Sequence, residues 1–297
     1  MKAGEDNVAS FAPINGIQLH YLEYPGPGPA LVLLPGLTAN AHLFDGLIVA
    51  GLAAHYHVIA PDLRGRGLSD KPLTGYSMAD HAADILGLLD HLHLEQCVLC
   101  GHSYGGLVAF YMAAQFPERI HHLIILDSSH LLVAERTRVL VKASLDRLNQ
   151  KLPSMDVYMA AMEKMPYLNG LWDEAIAGYY RSDVQINADG TVQALASATA
   201  VAEAIDMEFV EPWLEHLVAI HQPTLLINAL EPFGPPGTPP ILPRDMAEAT
   251  VALIAQCDYV VVPGNHITML FGENAAAIVD AISHVYSDWV RFKKEEK

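Results

Sequence analysis

The sequence predicts an α/β fold built on a mostly parallel sheet covered on both faces, and three observations carry that prediction. From residue 30 onward, short apolar runs alternate with segments of helical period, the pattern of parallel strands joined by crossover helices. The runs at 30–34 and 123–126 contain no polar residue, as expected of strands buried on both faces. The run at 97–100 leads into Gly101-His102-Ser103-Tyr104-Gly105-Gly106 and then at once into a helical pattern. That is the strand-turn-helix setting in which a G-x-S-x-G string lifts one serine hydroxyl above the sheet edge.

Each element follows from local chemistry. Residues 11–24 alternate in the strand manner around an Asn15-Gly16 turn. Pro25-Gly26-Pro27-Gly28-Pro29 is a loop, and 30–34 is an interior strand ended by Pro35-Gly36-Leu37-Thr38. A helical pattern covers 42–54, and a short strand at 57–60 runs into Pro61-Asp62-Leu63-Arg64-Gly65-Arg66-Gly67, where Asp62 is placed to order the Arg-Gly loop. Residues 77–91 repeat apolar side chains at helical spacing, with Ser77 as N-cap. In the elbow, Gly101 and Gly105 stand where neighbouring backbone leaves no room for a Cβ. The helix after it carries Leu107, Val108, Phe110 and Tyr111 on its inner side and ends near Phe116. A strand at 123–126 ends in Asp127-Ser128-Ser129.

The rhythm breaks between 130 and 216. This stretch shows no strong strand, has a turn at Asn187-Ala188-Asp189-Gly190, and is rich in Met and aromatic residues such as Met155, Tyr158, Met162, Tyr167, Trp172 and Tyr180. An insertion of that composition suits the roof of an apolar pocket. The sheet resumes at 223–228, followed by a Pro- and Gly-rich loop over 231–243 whose length points to a functional segment. A helix over 244–255, a strand over 259–262, the turn Pro263-Gly264-Asn265-His266 and a helix over 274–290 complete the chain.

Composition narrows the function. The 297 residues suffice for a large core, and 52% hydrophobic with 17% charged residues is the balance of a globular protein. A formal net charge of −17 argues against a basic face for nucleic acid or anionic membrane. The first residues lack the apolar stretch of a signal peptide, and no run is long enough to span a membrane. Three cysteines make no disulfide framework; Cys97 and Cys100, three apart on one strand, point to opposite faces and read with Cys257 as small core residues. A cytoplasmic location is therefore expected, as a monomer or homodimer. No metal or other cofactor is expected, because no ligand-spaced His or Cys set occurs in a suitable context.

Taken together, several motifs resemble the α/β-hydrolase superfamily along nearly the whole chain. They are Asn15-Gly16-Ile17 with His20-Tyr21, Leu33-Leu34-Pro35-Gly36, Ala60-Pro61-Asp62-Leu63-Arg64-Gly65 with Gly67-Leu68-Ser69-Asp70, the Ser103 elbow, Phe116-Pro117-Glu118-Arg119-Ile120, and Val262-Pro263-Gly264-Asn265-His266. The resemblance implies an eight-stranded, mostly parallel sheet flanked by helices. Residues 1–129 and 217–297 would form the core and 130–216 an inserted helical cap. It also implies a triad in the order Ser, acid, His, with Ser103 as nucleophile and His266, alone of the fifteen histidines in the right late position, as base.

The acid has two candidates. Relatives usually take it after the strand that here is 223–228, in a Gly-x-x-Asp turn; this chain has Asn228-Ala229-Leu230-Glu231, with the glycine missing and the carboxylate one residue early. Asp127, after the preceding strand, matches the position used in the haloalkane dehalogenase branch and is preferred; Glu231 is the alternative. The oxyanion donors would be the backbone N–H groups of Tyr104 and Leu37, the latter after a Pro35 that departs from the usual His and removes only its own N–H. His102 is expected to brace the elbow, His130 to line the pocket near the cap, and the remaining histidines to be structural or solvated.

A serine at 103 argues against the alkyl-enzyme chemistry of dehalogenases and epoxide hydrolases, which use Asp there. The expected activity is a carboxylesterase reaction on small to medium, largely apolar carboxylic esters or lactones through an acyl-serine. C–C bond hydrolase, perhydrolase or haloperoxidase, and thioesterase activities share the same triad. A ligand receptor on the same fold is the alternative of another class.

Overall fold

The computed structural model describes residues 8–133, 139, 142–235 and 237–295. Its centre is an eight-stranded sheet. In chain order the strands are β1 (Val8–Ile14), β2 (Ile17–Tyr24), β3 (Ala30–Leu34), β4 (His57–Pro61), β5 (Cys97–His102) and β6 (Ile120–Leu126). Three short strands follow, β7 (Lys151–Leu152), β8 (Val184–Ile186) and β9 (Val192–Ala194), before the sheet closes with β10 (Thr224–Ala229) and β11 (Cys257–Val262). The order across the sheet is β1-β2-β4-β3-β5-β6-β10-β11. Within this eight-stranded sheet the β1–β2 and β2–β4 pairs are antiparallel and the others parallel.

Residue choice explains the layering. Every residue of β3, β5 and β10 is buried, as central parallel strands between two helical layers require. The helices are α1 (Asp45–Val49), α2 (Met78–His91), α3 (Tyr104–Gln115), α4 (Lys142–Asp146), α5 (Met155–Met162), α6 (Glu174–Arg181), α7 (Ala198–Glu208), α8 (Trp213–Ala219), α9 (Arg244–Val251) and α10 (Gly272–Glu295). Helix α3 packs on β3, β5 and β6 and touches α2 and α8, while α1 packs on α10. Ser77 caps α2 through a capping box with Asp80, which satisfies N-terminal donors in both directions.

Three expectations are corrected. The single helix read over 42–54 is a chain of short pieces, two 3-10 turns around α1, because Gly51 adopts φ 100° and Asn40 starts a separate turn. The 130–216 stretch does contain strands: β7, β9 and β8 form a small antiparallel sheet. They are two or three residues long, too short for an alternation to register. Cys257 is only half-buried, unlike Cys97 and Cys100; all three are free thiols, and burial pushes the Cys97 thiol up to about 12.

The main apolar core is continuous from the sheet into the inserted segment. Tyr158, Met162, Leu168, Ile176, Tyr179 and Trp213 belong to the same buried cluster as Leu33, Leu99 and Ile125. Asp62 links the loops at the carboxyl ends of the strands. Its carboxylate accepts from Ala41 N (2.7 Å) and Leu68 N (2.8 Å) and pairs with His20 Nδ1 (2.8 Å). No described helix is long and apolar enough to cross a membrane.

The crowding at the elbow is measurable. A Cβ on Gly105 would stand 2.1 Å from Leu34 O, and one on Gly101 2.2 Å from Gly105 O. Gly105→Ala is expected to lower the unfolding free energy by about 2–3 kcal/mol in urea titration, as overpacking against backbone does. Gly178→Ala, inside α6 with nothing within 4 Å of the new Cβ, is expected to raise it by about 0.5–1 kcal/mol through helix propensity and the unfolded state.

Candidate active site

The site lies at the carboxyl ends of the central strands. Ser103 occupies the junction of β5 and α3 with φ 54° and ψ −120°, a conformation costly for a residue with a Cβ and retained only where surroundings enforce it. Here they do. Ser103 N donates to Leu126 O at 3.1 Å, while Ser103 O accepts from Gly106 N at 2.9 Å and from Ser128 Oγ at 2.6 Å. The hydroxyl faces a pocket that His266, Tyr104 and Leu37 also line.

His266 arrives on the turn after β11. Asn265 builds that turn: its Oδ1 accepts from Ile267 N and Thr268 N, both at 3.0 Å, and its Nδ2 donates to Tyr167 O at 2.8 Å. The imidazole lies with Nδ1 2.6 Å from Asp127 Oδ2. A carboxylate accepts, so the Nδ1 proton points at Asp127 and the Nε2 lone pair is left for another partner. Phe233 meets the ring edge-on at 5.8 Å and itself stacks on Tyr167 at 5.1 Å.

Asp127 is fully buried, at φ 49°. Its other oxygen, Oδ1, accepts from Asn228 Nδ2 at 2.7 Å and from Ala229 N at 2.9 Å. Asn228 is fixed in turn by donation to Leu242 O (3.0 Å) and by the Tyr259 hydroxyl on its Oδ1 (2.8 Å). The second carboxylate candidate goes elsewhere. Glu231 is exposed, and its Oε1 accepts from Gly264 N at 3.2 Å.

Two backbone N–H groups border Ser103. Tyr104 is the first residue of α3, so its N–H has no acceptor within the helix and lies at the positive end of the helix dipole. Leu37 lies on the turn after β3, where Gly36 is close enough to the elbow that a Cβ would lie 3.3 Å from His102 Nδ1. His102 Nε2 donates to His266 O at 2.8 Å, so this histidine ties the elbow to the His266 turn. Burial and the neighbouring His266 push its pKa well below the usual value, keeping it neutral. His130 does not line the pocket, although Leu132 two residues on does; its Nδ1 instead meets Thr250 Oγ1 at 3.4 Å.

The pocket is about 110 Å³ and walled by apolar and tyrosyl side chains, among them Leu132, Tyr179, Tyr180, Ile205 and Phe233. Arg147 and Glu208 also reach it. Arg147 pairs with Asp183, which also accepts from Tyr158 Oη at 2.9 Å. Buried together, the pair raises the Arg147 pKa well above its ordinary value, while burial raises that of Asp183. The sequence reading missed Asn228, Arg147 and Asp183; it expected His102 to brace the elbow but not its bond to the His266 carbonyl.

A family model for the alpha/beta hydrolase fold matches residues 29–273. The chain is 31% identical over 181 residues to 2-(acetamidomethylene)succinate hydrolase of Mesorhizobium japonicum, covering 60% of this chain and 62% of that protein. It is 42% identical over 116 residues to a soluble epoxide hydrolase of a Corynebacterium species, covering 39% of this chain and 40% of that one. These matches thus span less than two thirds of each relative. Among solved structures, that of E-2-(acetamidomethylene)succinate hydrolase superposes with a TM-score of 0.78 at 27% identity, over 94% of this chain and 98% of the other.

The imidazole pairing is open to a direct check. A downfield Nδ1 proton signal from His266 is expected in the wild-type proton NMR spectrum. Asp127→Asn should abolish it, and Glu231→Gln should leave it in place.

Proposed function

The chain belongs to the α/β-hydrolase superfamily, and we propose that within it the protein is a serine hydrolase that cleaves small, neutral, largely apolar carboxylic esters or lactones through an acyl-serine. The observation that carries this reading is the pairing of His266 with Asp127 at 2.6 Å beside a serine held in a strained elbow of the same pocket.

The chemistry follows from the atoms. His266 Nε2 takes the Ser103 proton as Oγ attacks the ester carbonyl carbon, and Asp127 stabilises the imidazolium without taking the proton itself. The oxyanion of the tetrahedral intermediate is received by the N–H groups of Leu37 and Tyr104. Collapse breaks the ester C–O bond, and His266 returns the proton to the leaving alkoxide. Water, deprotonated by His266, then attacks the acyl-serine and regenerates Ser103. On this reading Glu231 is a loop residue, and residues 130–216 act as the cap that supplies Leu132, Tyr179 and Tyr180 to the pocket wall.

The substrate class is argued from size and charge. An apolar cavity of about 150 Å³ accommodates benzene, so a pocket of about 110 Å³ suits a short acyl group. Its one lining arginine is already neutralised by Asp183, and Glu208 adds a carboxylate to the wall. This disfavours an anionic substrate of the kind named for the succinate hydrolase relative. The second reading, hydrolysis of a carboxylate-bearing substrate, draws on that likeness alone.

A chromogenic aryl acetate tests the nucleophile. Wild type should give a stoichiometric burst, and Ser103→Ala none. Equal traces for the two proteins would leave a ligand receptor as the better reading. In the steady state, Asp127→Asn should lower kcat by roughly 10³- to 10⁴-fold, and Glu231→Gln should stay within about twofold of wild type.

The substrate class is tested separately. Neutral aryl acetate and butyrate should exceed the corresponding aryl hemisuccinate in kcat/KM by about tenfold or more, because like charge at a desolvated site is costly. The reverse order would favour the second reading.

A further inference from the structure

Arg66 is fully buried. Its guanidinium meets both residues whose N–H groups border Ser103. Nε donates to Leu37 O at 2.9 Å, and Nη1 donates to Arg64 O at 2.8 Å. The group stands 5.4 Å from the centroid of the Tyr104 ring and 5.8 Å from that of Tyr76. Among the described residues it forms no direct ion pair with a carboxylate; Glu208 acts on it only through space. The nearby Asp84 is taken by Arg64, through Nε and Nη2 at 2.6 Å each. His81, packed against the Tyr104 ring at 5.4 Å, is held neutral by burial and by the two arginines.

A buried cation without a carboxylate partner is expensive, and an apolar side chain of similar volume would usually fill such a space at lower cost. The placement suggests what offsets that cost. One planar group contacts the residues that carry both N–H donors, Leu37 through its carbonyl and Tyr104 through its ring. Fixing the Leu37 carbonyl restrains that residue's backbone, and a positive charge close to the two N–H groups favours a developing oxyanion.

We propose that Arg66 is a positioning residue for the oxyanion hole, clamping Leu37 against Tyr104 and holding a buried positive charge close to their N–H groups. The assignment rests on the serine-hydrolase reading of the same site. Arg66 touches no substrate atom. It acts through the two residues that do, so its loss is felt in the transition state and not in ground-state binding.

The test uses the full chain with Arg66→Met and Arg66→Lys, measuring kcat and KM on a neutral aryl ester and the affinity for an alkyl boronic acid, which forms a tetrahedral adduct on Ser103. In Arg66→Met, kcat should fall by about 10- to 100-fold, somewhat less than loss of a donor itself. The boronate affinity should fall by a similar factor, and KM should change little. Arg66→Lys, which keeps the charge and one donor, should recover part of both losses. A folded Arg66→Met with wild-type kcat and boronate affinity overturns the proposal. So does a loss confined to KM and thermal stability. If Arg66→Met does not fold, Arg66→Lys and Arg66→Gln carry the test: parallel losses in kcat and boronate affinity support the proposal, and wild-type values in both variants overturn it. A wild type that binds boronate no better than Ser103→Ala overturns the hydrolase reading and this proposal with it, an outcome distinct from failure of the Arg66 variants alone.

Discussion

The carboxylate of Asp127 joins the ends of β6, β10 and β11, and the geometry of the site depends on it. The residue directly follows β6, and its backbone N–H bonds Ile227 O on the neighbouring strand at 2.7 Å. One carboxylate oxygen is held by Asn228 and Ala229 at the end of β10, and the other holds His266 after β11. With Leu126 O accepting from Ser103 N, β5, β6, β10 and the turn beyond β11 are all tied at one edge. A buried carboxylate needs this number of donors, and supplying them fixes three strand ends relative to one another.

Backbone strain is stored at the same edge. Ser103 and Asp127, both non-glycine residues, have φ of 54° and 49°. Two such costs persist only because neighbours over-determine them: Ser128 and Gly106 hold the Ser103 carbonyl, and Asn228 holds the Asp127 carboxylate. His102 closes the circle by donating to the His266 carbonyl. Ser103, Asp127 and His266 are thereby fixed by a continuous sheet edge, the arrangement that gives positional precision.

Polar groups elsewhere in the site show a consistent division. Asp62, Asp84 and Asp183 each serve a neighbouring basic side chain, His20, Arg64 and Arg147 in turn. Arg66 is the buried guanidinium left outside these pairs among the described residues, and it is the one against Leu37 and Tyr104. The shape of the pocket is set by Leu132, Phe233 and the tyrosines contributed by the inserted segment.

Much of this was readable in the chain. The apolar runs and glycines fixed β3, β5, β6 and the elbow, because buried parallel strands and tight turns impose their composition locally. Ser77 announced α2, and Ser103 and His266 were identifiable from their neighbours in sequence. The strands β7, β8 and β9 were not, since two or three residues carry no period. Local residue patterns set the layered architecture and the residues whose roles depend on local backbone. Tertiary structure alone decided which carboxylate faces His266, that Asp183 neutralises Arg147, and that Arg66 meets Leu37 and Tyr104. Those are contacts between residues 29 to 139 positions apart in the chain, and their distances are set by how the strands stack side by side, which no local pattern of residues encodes.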